Sequence, residues 1–215
     1  MMKIIWHGHA CFEIISEEGK KIVTDPFDES IGYPRLDIAA DVVLVSHEHY
    51  DHNNVAAVRG RPEVVRGAGE HVAKGMKFYG VKTYHDAAKG AQRGENTVFV
   101  FEVDGVTLCH LGDLGHVLEE EQLNEIRRAA ASIDVLFVPV GGTFTIDAGD
   151  AEKVISQLSP KIVVPMHFKT PPLKLPISGV EPFLKGKKVR REKKLEVTKE
   201  TLPAEMEVVV LDWRH

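Results

Sequence analysis

The sequence has few cysteines and lacks long apolar runs, and both absences narrow its class. Cys11 and Cys109 are the only cysteines among 215 residues, which is too few for a disulfide framework and predicts a protein of the reducing cytoplasm. No apolar run approaches the roughly 18 residues that a membrane-spanning helix needs. The chain also enters strand-like sequence at Ile4 without the apolar leader of a secreted protein. We therefore expect a cytoplasmic protein without a membrane partner.

An excess of positive charge is also missing. The formal net charge is −5 at pH 7, which argues against a protein built to coat nucleic acid. One basic run, residues 185–194 (Lys-Gly-Lys-Lys-Val-Arg-Arg-Glu-Lys-Lys), is interpreted as solvated surface, the more frequent role of such runs. The length and a hydrophobic content of 43% fit a single domain over residues 1–215 with a sizeable core.

Histidine, in contrast, is abundant, and its densest cluster defines the candidate site. Residues 46–52 read Ser-His-Glu-His-Tyr-Asp-His and follow the apolar run 41–45, which has the β-branched composition of a buried strand. In an extended segment alternate side chains share a side, so His47, His49 and Asp51 are expected to point one way. Two imidazoles and a carboxylate suit a zinc, manganese or iron ion. The out-of-phase His52 suggests a second ion, about 3.5–4 Å away in hydrolytic pairs.

Candidate ligands elsewhere in the chain follow predicted strands. His47, His85, Asp113 and His167 each come within a few residues of the end of an apolar run. Strand ends that lie side by side form the usual ligand site of an open sheet. The patterns predict strands at 4–6, 11–15, 21–24, 41–45, 64–65, 81–84, 97–103, 106–110, 135–140, 162–165 and 207–211, and helices at 54–59, 69–76, 119–131, 150–158 and 180–184. A hairpin turn is predicted at Asp104-Gly105.

The His-x-His-x-Asp-His pattern of residues 47–52 resembles the signature of the metallo-β-lactamase superfamily. Other matching segments occur in the expected order: His9-Ala10, 24–27 (Thr-Asp-Pro-Phe), Tyr84-His85, 110–113 (His-Leu-Gly-Asp), 137–141 (Phe-Val-Pro-Val-Gly) and 165–168 (Pro-Met-His-Phe). Together they look like the branch that contains uncharacterised metal-dependent hydrolases and L-ascorbate-6-phosphate lactonase. The resemblance implies an α/β fold, a four-layer α/β/β/α sandwich of two mixed sheets.

The resemblance also implies a set of metal ligands. It assigns seven of them to two ions: His47, His49 and His85 to one, Asp51, His52 and His167 to the other, with Asp113 as the bridge between them. We expect two divalent ions, zinc in the first place, although manganese and iron also suit these ligands.

His110 is the alternative to His85 as a ligand. It lies three positions before Asp113, so the two side chains point to opposite faces of a regular strand unless Gly112 bends the chain. No bend is required for His85, which we therefore take as the ligand. His110 then supports the ligands, lines the pocket or has a purely structural role.

Four further residues are expected around the ions. Ligand histidines usually donate their other ring nitrogen to a carboxylate or carbonyl. Asp25, fixed by its neighbouring proline at a strand end, is the candidate to orient one such ring, unless it only forms a turn. His9 is expected to line the pocket. Thr143 and Phe144 are expected in the pocket wall, although Phe144 would serve equally well in the core.

The expected chemistry is hydrolysis. Two divalent ions lower the pKa of a shared water and polarise a carbonyl or phosphoryl oxygen, while Asp51 or Asp113 orients the hydroxide. The predicted function is that of a metal-dependent hydrolase acting on a small-molecule ester, lactone or phosphoester. The loops at 27–40, 87–96, 141–149 and 169–178 are expected to select the substrate.

Three alternatives remain open at this point. The basic run suggests an RNA-directed phosphodiesterase or nuclease, although the acidic net charge and the lack of an inserted arm for tRNA argue against it. Iron oxidoreductases occur in the superfamily, but those relatives place glutamate where this chain has His49. A metal-binding scaffold without activity is the third. The sequence leaves the oligomeric state open.

Overall fold

The computed structural model describes residues 1–213 and contains two large β-sheets that share one core. The strands are β1 (Met2–Gly8), β2 (Cys11–Ile15), β3 (Lys21–Thr24), β4 (Ile38–Ala39), β5 (Val42–Val45), β6 (Val58–Arg59), β7 (Glu63–Arg66), β8 (Gly69–Ala73), β9 (Met76–Tyr84), β10 (Glu95–Val103), β11 (Val106–His110), β12 (Val135–Pro139), β13 (Ile162–Met166), β14 (Val189–Glu192), β15 (Leu195–Val197) and β16 (Glu207–Leu211). The α-helices are α1 (Glu120–Ala129), α2 (Ala148–Leu158) and α3 (Glu181–Leu184). His215, for which the sequence suggests no role, lies outside the described residues.

Both large sheets mix parallel and antiparallel pairs. The first has the order β15-β1-β2-β3-β5-β7 and is antiparallel from β15 to β3 and parallel from β3 to β7. The second has the order β14-β16-β13-β12-β11-β10-β9-β8 and is parallel from β14 to β11 and antiparallel from β11 to β8. The predicted α/β class with two mixed sheets is confirmed.

The main core lies between the two sheets because alternate residues of each strand point to the same face. Val42 and Leu44 of β5 enter this core, whereas Val43 and Val45 enter a smaller cluster elsewhere. Phe12 of the first sheet and Phe137 of the second meet with their ring centroids 4.5 Å apart. Burial of both faces explains why β5 is apolar at every position.

Helices and loops form the outer layers. α1 contacts β9 and β10, and α2 contacts β12, so both helices pack on the second sheet. The smaller cluster joins β5 to Phe27 and Tyr33 of the 27–40 loop and to Leu173 of the 169–178 loop. Loops and a short 3-10 helix at Glu29–Ile31 therefore cover the first sheet. None of the helices within residues 1–213 is long and apolar enough to cross a membrane.

The predicted helix at 69–76 is wrong. This segment forms β8 and the first residue of β9, because Lys74 and Gly75 adopt positive φ angles of 50° and 77° and close a tight hairpin. The hairpin predicted at Asp104-Gly105 is confirmed, with φ angles of 52° and 75°.

The predicted helix at 54–59 is also wrong. Only Val55–Ala57 forms a 3-10 turn, and Val58–Arg59 then pairs with Ile38–Ala39 as a two-stranded sheet. The remaining predicted helices correspond to α1, α2 and α3.

The basic run contains a strand that the sequence did not predict, β14. Some of the seven basic side chains of this run are matched by neighbouring carboxylates: Arg190 lies 3.7 Å from Glu207, and Lys194 lies 2.9 Å from Glu196. These ion pairs are solvent-exposed, which agrees with the interpretation of the run as solvated surface.

Candidate metal centre

The predicted ligands converge at one rim of the two sheets. β9 and β11 both run antiparallel to β10, and β11 and β13 both run parallel to β12, so β9, β11 and β13 end at the same edge. His85, Asp113 and His167 follow these three ends. β5 of the first sheet leads into residues 46–52 at the same rim.

Histidine and aspartate side chains at this rim form two adjacent groups. Within each group the potential ligand atoms all lie within 4.8 Å of one another. We define the outer group as His47, His49 and His85, and the inner group as His9, Asp51, His52 and His167.

Asp113 lies between the two groups. Its Oδ2 atom lies 3.1 Å from Nε2 of His85 in the outer group. The same atom lies 3.1 Å from Nε2 of His52 and 3.2 Å from Nε2 of His167 in the inner group. The backbone N–H of Asp113 donates to Oδ1 of Asn96 at 2.9 Å, which fixes this carboxylate at the end of β11. One buried carboxylate therefore contacts both groups.

Residues 46–52 are not extended, so the expectation that Asp51 shares a side with His47 and His49 is wrong. The backbone N–H of His52 donates to the carbonyl of His49 at 2.9 Å and closes a turn. The turn carries Asp51 away from the two preceding histidines and places it with His52 in the inner group.

Asp25 supports the ring of His52. Its buried carboxylate accepts hydrogen bonds from the backbone N–H and hydroxyl of Ser46, both at 2.7 Å, and from Nδ1 of His52 at 3.2 Å. A proton on Nδ1 leaves Nε2 of His52 facing the Asp113 carboxylate. Burial alone would lower the pKa of His52, but Asp113 and Asp51 outweigh it and raise that pKa well above its ordinary value.

Ser46 supports His47 in the same way. Its hydroxyl donates to Asp25 and so is free to accept from Nδ1 of His47, which lies 2.9 Å away. The proton on Nδ1 leaves a lone pair on Nε2 of His47. Burial lowers the pKa of this ring to about 3, so the neutral, metal-binding form is favoured.

Several buried ligand atoms have no hydrogen-bond partner within residues 1–213. They are Nδ1 of His9, Nε2 of His47, Nε2 of His52, Nδ1 of His85, Oδ1 of Asp113 and both ring nitrogens of His167. Buried polar groups are otherwise almost always paired. Imidazole and carboxylate atoms that converge without partners fit divalent cations, since a cation can bind one ring nitrogen from each of several histidines together with a carboxylate oxygen.

His110, the alternative to His85, does not join either group. Its Nε2 lies 3.1 Å from the carbonyl of Ala10, and its Nδ1 accepts from the backbone N–H of Gly112 at 3.2 Å. One neutral tautomer therefore satisfies both ring nitrogens, and burial lowers the pKa of His110. Gly112 does bend the chain, with a φ of 57°, but the bend leaves His110 beneath the site.

Three site residues adopt the left-handed backbone conformation that non-glycine residues usually avoid. The φ angles are 54° for His9, 37° for Asp25 and 50° for His167. The conformation turns each side chain inward directly after its strand. His9 thereby places Nε2 3.0 Å from the Asp51 carboxylate, so it contacts a predicted ligand. It does not line the pocket as expected, because its side chain is fully buried behind that carboxylate.

A pocket of about 300 Å³ opens onto the two groups. Phe144 lines this pocket together with Tyr50, Arg93 and Leu175. Of the two predicted placements of Phe144, pocket wall or core, the structure shows the pocket wall. Thr143 does not line this pocket; it is exposed, and its hydroxyl donates to the carbonyl of Pro176 at 3.2 Å.

Sequence reasoning missed Ser46, Asn96 and Arg93 at this site. Ser46 stands inside the histidine motif, so its position offered a signal. Asn96 and Arg93 carry none, because their roles depend on where the 87–94 loop and β10 come to lie.

Comparisons with known proteins identify the family of this chain. Residues 3–167 match the model of the beta-lactamase superfamily domain. A UPF0173 metal-dependent hydrolase from Carboxydothermus hydrogenoformans is 34% identical over 204 residues, covering 80% of this chain and 87% of the relative. A crystal structure from Thermotoga maritima, assigned as a Zn-dependent hydrolase of the metallo-β-lactamase superfamily, is 44% identical, with a TM-score of 0.80 over 98% of each chain. A metal-dependent hydrolase structure from Parabacteroides distasonis, at 19% identity, shares the fold with a TM-score of 0.68 over 99% of this chain and 94% of its own.

The paired mixed sheets and the histidine–aspartate rim define a protein of the metallo-β-lactamase superfamily, and the predicted resemblance is confirmed. Within that superfamily the chain belongs to the UPF0173 metal-dependent hydrolases.

Proposed function

We propose that this metal-dependent hydrolase uses two divalent ions, zinc in the first place, to cleave a small ester, lactone or phosphoester. The proposed ligands are His47, His49 and His85 for one ion and Asp51, His52 and His167 for the other, with Asp113 bridging. The observation that carries the proposal is the position of Asp113, whose Oδ2 lies within 3.2 Å of ring nitrogens from both groups.

When bound, the ions would lower the pKa of a shared water and polarise the scissile carbonyl or phosphoryl group. Asp51 is the residue best placed to accept a proton from the attacking water, since it lines the pocket and 13% of its side chain is exposed. Burial alone would raise the pKa of Asp51, but the neighbouring His52 outweighs it and lowers that pKa. The carboxylate is therefore ionised, and His9 donates to it at 3.0 Å and holds its orientation.

The pocket supports a small-molecule substrate. A volume of about 300 Å³ is at the lower end of small-ligand sites. Tyr50, Phe144 and Leu175 supply apolar walls beside the polar rim. Residues 185–194 do not line this pocket, so the basic run gives no support to an RNA substrate there.

Metal analysis combined with a substrate panel tests the proposal. We expect the purified protein to carry about two equivalents of divalent metal and to hydrolyse at least one of a set of lactones, phosphodiesters and thioesters. Chelation should abolish the activity, and zinc, manganese or iron should restore it. Full activity after rigorous metal removal would refute the proposal.

A further inference from the structure

Arg93 brings a positive charge to the pocket above the metal centre. It is the single lysine or arginine among the described residues that line this pocket, which also contains His49, His85 and Asp113. Its guanidinium lies over the ring of Phe144, 5.6 Å from the centroid. Arginine planes stack on aromatic faces in this way and keep their edge N–H groups free to donate.

No carboxylate within residues 1–213 forms an ion pair with Arg93, although its neighbours are paired. Arg93 also lines an adjoining pocket of about 430 Å³ that includes Glu48, Arg66 and Glu95. Arg66 lies 2.7 Å from Glu48, and Glu95 forms an ion pair with Lys82. Arg93 therefore supplies the uncompensated charge between the two pockets.

The loop that carries Arg93 is rigidly tied to the metal centre. Asp86, which directly follows His85, is buried and accepts four backbone N–H groups of the loop. The donors are Ala88 at 2.8 Å, Gly90 at 3.0 Å, Gln92 at 3.0 Å and Arg93 at 2.7 Å. The backbone N–H of His85 donates in turn to the carbonyl of Gly94 at 3.0 Å. This network fixes the backbone of Arg93 relative to a proposed ligand, so the arginine is preorganised.

We propose that Arg93 binds an anionic substituent of the substrate, a carboxylate or a phosphate monoester, while the scissile group faces the metal centre. The inference rests on the proposed hydrolase function and narrows its substrate class. A guanidinium offers two parallel donors to either anion, and apolar surroundings such as Phe144 strengthen the interaction. A neutral ester of the same size would leave this half-buried charge without an anionic partner.

Three matched lactones test the proposal: γ-valerolactone, the analogue with a carboxylate in place of its methyl group, and the analogue with a phosphate monoester on that methyl group. They are compared on metal-loaded wild type and on Arg93→Gln, Arg93→Lys and Lys89→Gln. Lys89→Gln is the matched control, because it removes the same charge from the same loop. Lys89 pairs with Glu119 at 3.5 Å and lines neither pocket.

We expect wild type to prefer an anionic lactone. The anionic analogue with the higher kcat/KM identifies the substituent. Arg93→Gln should lower kcat/KM for that lactone about 10- to 100-fold, mainly through KM. For γ-valerolactone the change should stay within about threefold, and Arg93→Lys should fall between. Lys89→Gln should behave as wild type. An equal loss on charged and neutral lactones, or no loss on either, would overturn the assignment.

Calorimetric dissociation constants for the same lactones separate this inference from the proposed function. If metal-loaded wild type turns over none of them, lactone hydrolysis fails, yet binding still reports on Arg93. The anionic lactone should then bind Arg93→Gln about 10- to 100-fold more weakly than wild type. Unchanged binding would overturn the role of Arg93 whatever the activity.

Discussion

The inner and outer groups of the candidate metal centre lie in different settings. In the inner group His9, His52 and His167 are fully buried, and the backbone N–H of His167 donates to the carbonyl of His9 at 3.0 Å. In the outer group His49 is exposed, and His49 and His85 both line the pocket. The inner histidines are therefore held inside the fold, whereas His49 and His85 of the outer group face the pocket, as Asp51 of the inner group also does.

This difference should separate the contribution of the site residues to folding from their contribution to activity. Changes in the inner group should alter both folding and activity, because its side chains satisfy buried charges. A change at the exposed His49 of the outer group should alter activity and metal binding with little effect on folding, since water replaces the lost contacts.

The largest effect is expected from a change that breaks both groups. Asp113→Ala removes the carboxylate that contacts His52, His85 and His167. Metal content should fall from about two equivalents to about one or fewer. Hydrolysis should fall by more than the roughly 100-fold that loss of a supporting residue causes.

Asp134→Ala is the control for that change. Asp134 is also a buried aspartate, but it accepts from the backbone N–H of Thr107 at the start of β11 and pairs with Lys199. It should lower thermal stability and leave metal content unchanged. Equal metal loss in the two variants would contradict the proposed role of Asp113.

His52→Ala and His49→Ala sharpen the comparison between the groups. In metal-free protein, His52→Ala removes one buried partner from each of the Asp113 and Asp51 carboxylates and should lower the free energy of unfolding by about 3 kcal/mol. His49→Ala should change it by no more than about 0.5 kcal/mol. Urea denaturation in the presence of a chelator measures both values. Equal destabilisation would mean that the groups do not differ in the way described.

The smallest expected effect concerns His110 and pH. Burial lowers the pKa of His110 from 6.5, so between pH 6.5 and the lower folded-state pKa only the unfolded chain binds this proton. Stability is therefore complete above pH 6.5 and decreases as the pH falls through this window. His110→Gln keeps a donor toward Ala10 but removes the titration. Between pH 7 and 5, the free energy of unfolding of the metal-free variant should fall less steeply than that of metal-free wild type. The two slopes should differ by up to about 1.4 kcal/mol per pH unit. Identical slopes would show that His110 is not buried in its neutral form.

The strand ends made much of the site predictable. His47, His85, Asp113 and His167 each follow an apolar run, and a run of buried residues is readable from sequence because its period is regular. The strand period could not predict the side on which Asp51 lies, because the turn at His49 breaks that period; the family resemblance alone grouped Asp51 with His52 and His167.

The rest of the site depends on contacts that leave no pattern in the sequence. Asp86 gains its role from four backbone N–H groups of one loop, and Asn96 gains its role from the backbone of Asp113. The hairpin at Lys74-Gly75 was missed although its glycine is a turn signal, because the short polar strand before it has weak alternation.

The left-handed backbone of His9, Asp25 and His167 has an evolutionary consequence. Glycine would adopt these φ angles with less strain than histidine or aspartate. A substitution by glycine at these positions would therefore relieve backbone strain but remove a side chain of the candidate site. Selection for stability alone would favour the loss of these side chains, and only continued selection for activity retains them.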